Sequence, residues 1–136
     1  MNYTLSCSQR GLMAPTFGER EIDVMQVLWD RGSGTAAEVR EALDATVAYN
    51  TVLTILRNLQ EKGCVRHVPE GRAHRYYPVV VEADAQQGAI GRVIDKLFNG
   101  SPERLMAHLV RNETLSATEL RRLRRLLDER LREKAP

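Results

Sequence analysis

The stretch AYNTVLTILRNLQEKG, residues 48–63, decides the fold. Val52, Ile55, Leu56 and Leu59 recur at i, i+3, i+4 and i+7, the spacing of one buried helical face. The opposite face carries Asn50, Thr51, Thr54, Arg57 and Asn58. A helix surface chosen only for solubility favours Glu and Lys, which form helices better than Asn or Thr. Short hydrogen-bonding side chains around one arginine therefore call for a surface that they touch.

Before this helix, TFGEREIDVMQVLWDRGSG sets Thr16 and Glu19 at capping-box spacing and Ile22, Met25, Leu28 and Trp29 on one face, and Gly32 and Gly34 stop the pattern. TAAEVREALD repeats the device with Thr35 and Glu38, and a four-residue connection leads into the third helix, which ends at Gly63. After it, CVRHVPEGRAHRYYPVV places β-favouring residues on both sides of PEGR, with Gly71 at a permissive turn position, and predicts a hairpin. Pro69 has no N–H to donate, so it suits an edge or a turn and not a central strand. Helix, helix, helix and hairpin is the element order of a winged helix-turn-helix.

Three more helices follow. The first carries Ile90, Val93, Ile94, Leu97 and Phe98, and the second opens with Ser101 as N-cap and Pro102 at its first position and presents Leu105, Met106, Leu109 and Val110. The last has Ser116 and Glu119 at capping-box spacing, then Leu120, Leu123, Leu127 and Leu131. These stripes need a covering surface. A second copy is the expected one, because a helix-turn-helix protein gains affinity by binding two half-sites as a symmetric dimer. The expected architecture is mainly α (α+β winged helix): an arm or start-site extension at 1–15, a winged helix-turn-helix DNA-binding domain at 16–81, and a three-helix dimerisation region at 82–136. The arginines of RRLRR in the last helix alternate with Asp128, Glu129 and Glu133 and read as a solvated face.

The totals exclude other classes. At 136 residues and 43% hydrophobic, the chain suits one small domain with an appendage. No apolar run is long enough to span a membrane, and the first fifteen residues lack a signal-peptide pattern, so a cytoplasmic protein without direct membrane association is expected, starting at Met1 or Met13. Cys7 and Cys64 form no metal or redox pair, Cys64 reads as a small buried residue, and His67, His74 and His108 lack metal-ligand spacing. No nucleophile, base and orienting acid form a motif and no phosphate-binding glycine loop appears, so neither an enzyme nor a metal or other cofactor is expected. The net charge of +2 conceals a polarity: residues 19–44 hold seven acids and three bases, whereas residues 49–76 hold five bases and two acids. The positive field coincides with the third helix and the hairpin.

In a winged helix-turn-helix the third helix lies in the major groove of double-stranded DNA. Asn50 can pair with adenine, Thr51 and Thr54 can hydrogen-bond or set a methyl against thymine, and Arg57 can reach a guanine or a phosphate. Tyr49 and Asn58 complete the expected set on this helix. On the wing, Arg72, His74 and Arg75 are expected at the flanking backbone. The competing reading is a winged helix used only for protein contacts, which would lack the steep salt dependence of DNA binding.

The segments EIDVMQVLWDRGSGTAAEVREAL, AYNTVLTILRNLQEKGCV, GRAHRYYPV and LFNGSPERLMAHLVRNETLSATELRRLRRLLDE resemble the penicillinase-repressor family of bacterial transcription regulators, the BlaI/MecI group, from about Phe17 to about Arg132. The resemblance implies a dimeric repressor that covers a promoter palindrome through its third helix and wing. It also implies, for several members, cleavage in the C-terminal region triggered by a membrane-anchored zinc metalloprotease sensor. The matching place here is His108–Leu109, which differs from the asparagine–phenylalanine pair of the cleaved members. Copper-responsive members carry clustered C-terminal cysteines, and no cysteine follows Cys64.

Overall fold

The structure, a computed structural model, describes residues 16–43, 46–112 and 114–135. The arm expected at 1–15, with Cys7 and Met13, lies outside the described residues. The chain forms two compact units, Met1–Arg92 and Val93–Pro136. This division falls later than the expected one at residues 81/82, inside a helix.

The first unit opens with α1 (Glu19–Arg31), β1 (Gly34–Thr35), α2 (Ala36–Leu43) and α3 (Tyr49–Glu61). The start of α1 corrects the expected Thr16–Glu19 box: Gly18 is the N-cap, and its N–H donates to Glu21 Oε1 at 2.9 Å. Lys62 explains the shift, because its Nζ donates at 2.6 Å both to Glu21 Oε1 and to the Thr16 carbonyl, tying the chain before α1 to the end of α3. The Thr35–Glu38 box on α2 forms as expected, with both reciprocal bonds at 3.2 Å. Gly63, at φ +79°, turns the chain out of α3.

The hairpin of β2 (Val65–Glu70) and β3 (Ala73–Pro78) turns through Gly71 and Arg72, with Gly71 at φ +61°. The sheet order is β1-β3-β2, all antiparallel. Pro69 thus sits on an edge strand, opposite His74, where its missing N–H is tolerated. The two-residue β1 was not expected: Gly34 pairs with Tyr76 and Thr35 with Arg75. Gly34, read from sequence only as a helix stop, is buried there, and a Cβ on it would lie 3.2 Å from Val39 Cγ2 and 3.6 Å from Leu28 Cδ2. Close approach of α1 and α2 is its reason.

The core joins Val24, Met25 and Leu28 of α1, Ala36 and Val39 of α2, and Val52, Ile55, Leu56 and Leu59 of α3 to Cys64, Val65, Tyr76 and Val80. Each fully buried aliphatic side chain stabilises by roughly 1.5–3 kcal/mol relative to exposure, which fixes α3 by its apolar face and leaves the other outward. Trp29 Nε1 donates to the Val80 carbonyl at 2.9 Å and fastens the end of α1 to the chain leaving the hairpin.

The remaining helices are α4 (Glu82–Leu97), which crosses the division between the units, α5 (Pro102–Arg111) and α6 (Ala117–Lys134). Asn99 and Gly100, at φ +54° and +73°, turn the chain between α4 and α5. Ser101 Oγ accepts the Arg104 amide at 3.2 Å with Pro102 at the first helical position, and Ser116 and Glu119 form the expected box. No described residue of α5 or α6 is buried. Among the described residues, no helix is long and apolar enough to cross a membrane.

Candidate nucleic-acid interface

The exposed face of α3 is set by subtraction. With Val52, Ile55, Leu56 and Leu59 committed to the core, the helical repeat turns Asn50, Thr51, Thr54, Arg57 and Asn58 to solvent, and all five are exposed. Asn50, Thr54 and Arg57 follow one another along a single strip, with Glu61 at its far end. An acid there is unfavourable beside phosphates, so the N-terminal half is the half suited to DNA.

Local bonding narrows what each group offers. Thr54 Oγ1 donates to the Asn50 carbonyl at 3.0 Å, which spends its proton and leaves outward its methyl and its acceptor capacity. Ala48, the N-cap of α3, supplies no side-chain acceptor, unlike Ser101 and Ser116. The first-turn amides of Tyr49 and Asn50 have no partner among the described residues. They remain open to an external anionic oxygen. Tyr49 lies on the flank, 43% exposed, in a shallow cleft with Ala37, Glu38, Arg40 and Glu41 of α2.

The hairpin has two differently used faces. On the face turned to α3, the rings of His67, His74 and Tyr76 pack at a tilt to one another, with centroids 4.4 Å apart for the two histidines and 5.6 Å for His67 and Tyr76. His67 Nδ1 shares a short hydrogen bond with Gln60 Oε1 of α3. Burial raises the Tyr76 phenol pKa above its usual value, the Arg57 charge opposing and Tyr49 adding to the effect. His74 lies on the hairpin, beside His67, which Gln60 joins to α3. Sequence reasoning missed His67 and Gln60, since only the register that sets His67 opposite Tyr76 and Pro69 opposite His74 reveals the cluster.

On the other face, the Arg66 guanidinium lies over the Tyr77 ring, 4.4 Å from its centroid, and Arg75, expected at the flanking backbone, is bound within the chain. Its guanidinium is held by Glu70, Glu38 and Ser33 at 2.7–3.1 Å. The Arg75 guanidinium in turn holds the Glu38 and Glu70 carboxyls below the usual range, the Thr35 amide adding to the effect on Glu38. Arg72, at the turn, is exposed and has no ion-pair partner among the described residues.

The residues expected to dimerise are spread over α4, α5 and α6 and the α4–α5 turn. Ile90, Val93, Leu97, Leu109, Leu120 and Leu127 are exposed, Leu97 at 76%, whereas Ile94, Phe98, Leu105 and Leu123 are half-buried. Met106, Val110, Leu126 and Leu131 add further exposed apolar surface. His108 and Leu109 of the expected cleavage position are exposed within α5, and the His108 ring lies 5.8 Å from that of Phe98. The described residues hold no group of three or more potential metal ligands.

A three-helix unit closed by a short sheet and a two-stranded wing, with a polar strip on its third helix, is a winged helix by class. The chain belongs to the penicillinase repressor family, whose model matches residues 17–129. The transcriptional regulator BlaI of Mycobacterium tuberculosis (strain ATCC 25618 / H37Rv) is 37% identical over 119 residues, 82% of this chain and 83% of that protein. The penicillinase repressor of Bacillus licheniformis is 29% identical over 117 residues, 85% of this chain and 91% of that protein. Among solved structures, a mutant of MarR from E. coli, complexed with operator DNA, is similar at a TM-score of 0.50 and 17% identity over 96% of this chain and 86% of that chain. That likeness concerns the fold alone.

Proposed function

We propose that the protein is a homodimeric transcriptional repressor in which α3 of each protomer enters a major groove of a palindromic promoter operator and the wing lies along the flanking backbone. The observation that carries this reading is the outward strip of Asn50, Thr54 and Arg57 on a helix otherwise committed to the core. These side chains distinguish bases, as a lysine-rich surface would not. The exposed leucines of α5 and α6 support the homodimer, since one chain leaves them uncovered. Cytoplasmic placement follows from the proposed target. Release by a membrane-anchored zinc metalloprotease sensor at His108–Leu109 would require α5 to open first, because the bond lies within a helix and a protease takes an extended strand.

Selection from a random DNA library by the full-length protein at near-physiological salt, followed by footprinting, tests the reading. The expected result is an inverted repeat with half-sites about one helical turn, roughly 10 base pairs, apart or a multiple of it. A library that stays unenriched, with weak binding that disappears at modest salt, refutes it.

Arg72→Ala has a separable signature. It weakens all sequences alike and flattens the slope of log K against log salt by about 0.9, the value for one phosphate contact. Titrations of the selected duplex and a scrambled one at several salt concentrations check this.

A further inference from the structure

We propose that Arg75 is a positioning residue that locks the wing to the helix-turn-helix and does not itself contact DNA. The proposal rests on the DNA-binding reading above and assigns one of its residues a different task. An arginine has five N–H donors in a fixed fork, and here all five are used. Nε and Nη2 take the two oxygens of Glu70 at 2.7 and 2.9 Å. Nη1 and Nη2 take the two oxygens of Glu38 at 3.1 Å each, and Nη1 also reaches Ser33 Oγ at 3.1 Å. A phosphate arriving at this guanidinium finds no donor left.

The partners lie on three separate pieces of the fold. Glu70 ends β2 at the wing tip, Ser33 is in the turn after α1, and Glu38 is in the first turn of α2, where its Oε1 also accepts the Thr35 amide. Arg75 itself is opposite Thr35 in the β1–β3 pair. One side chain thus joins the wing tip to the helix that precedes α3. Beyond Val65, every residue of β2 is exposed, and the wing's other ties, the β1–β3 pairing, buried Tyr76 and the His67–Gln60 hydrogen bond, do not include Glu70 at the tip. Without the clamp the hairpin's ladder opens more often at the tip and its angle to α3 is no longer fixed, so Arg72 and His74 lose their place on the flanking backbone.

Glu38→Gln separates the two roles of Arg75 by sign. Glutamine serves a capping box as glutamate does, so α2 keeps its N-terminus. If Arg75 contacts phosphate, the substitution removes a nearby negative charge and frees the arginine, so DNA binding tightens. If Arg75 is the clamp, the same substitution loosens the wing and weakens the selected duplex by about three- to tenfold, on the order of one phosphate contact. Arg75→Lys keeps the charge and loses the fork, so it weakens binding similarly. Thermal unfolding of both variants checks that the core is intact.

Amide hydrogen exchange of the free full-length protein gives a readout without DNA. Exchange at residues 66–74 quickens about three- to tenfold in both variants while α1 and α3 stay protected, as local opening without global unfolding requires. Unchanged hairpin exchange overturns the clamp, as does tighter operator binding by Glu38→Gln. Failure of the wild type to enrich any DNA would sink the DNA-binding reading and leave the exchange result to decide the clamp.

Discussion

Replacing Asn50 and Thr54 together with alanine will raise the dissociation constant for the selected operator by about a hundredfold or more, while a scrambled duplex is bound as before. Each base contact of this kind is worth roughly 1–3 kcal/mol, about 5- to 150-fold. The substitution is clean because neither side chain is part of the core and neither caps a helix: the N-cap of α3 is Ala48. Alanine is also the better helix former, so thermal stability holds or rises slightly. Loss of operator binding with unchanged non-specific binding marks the strip as the part that discriminates bases. Equal loss on both duplexes would mean that these residues only position the helix, and no loss would move recognition elsewhere.

The second large effect is expected in the C-terminal unit. Leu127→Glu places a charge on an exposed position of α6 that already faces solvent in the single chain, 53% exposed, so the helix itself has no reason to unfold. In the proposed dimer the same position is covered. A buried, unpaired carboxylate there splits the assembly. Sedimentation should then report a monomer, and affinity for the full palindrome should fall by about 10² to 10⁴, because two half-sites are no longer held at high effective concentration. Affinity for an isolated half-site should not change. A variant that stays dimeric locates the interface on another face, and a wild type that sediments as a monomer removes the dimer altogether.

These two regions were also the most legible in the sequence, for a physical reason. A helix announces its buried face by spacing alone, so the outward strip of α3 and the apolar stripes of α4, α5 and α6 could be read without coordinates. Cap signals were good to within a turn. Ser101, Ser116 and the Thr35–Glu38 box stand as expected, whereas α1 begins at the Gly18–Glu21 pair and not at Thr16–Glu19. Both pairs have the right spacing. The choice is made by Lys62, which comes from the far end of α3.

What depended on long-range partners stayed hidden. β1 is two residues long, too short for any alternation to show, and exists because Tyr76 and Arg75 stand beside it. The basic character of Arg75 was plain, but its partners Glu38 and Ser33 lie 37 and 42 residues away in the chain. Composition therefore assigned it to the DNA, whereas the fold gives its donors to Glu70, Glu38 and Ser33. His67 shows the converse. Its residue type suggested nothing by itself, and only the hairpin register brings it against His74, Tyr76 and Gln60.

The exposed outer strand of the wing bears on how the protein behaves in crowded solution. A sheet edge left open is a template for a strand from another molecule, and a wing lying along DNA, as proposed, cannot be covered by a helix or closed into a barrel. β2 carries Arg66 and Glu70 along this edge and Pro69 two residues before the turn. The proline withholds a donor from any added strand, and the charges oppose burial against one. A hairpin edged in this way can stay open to a ligand without recruiting copies of itself into a growing sheet, the proline and the two charges standing in for the cover that the fold does not supply.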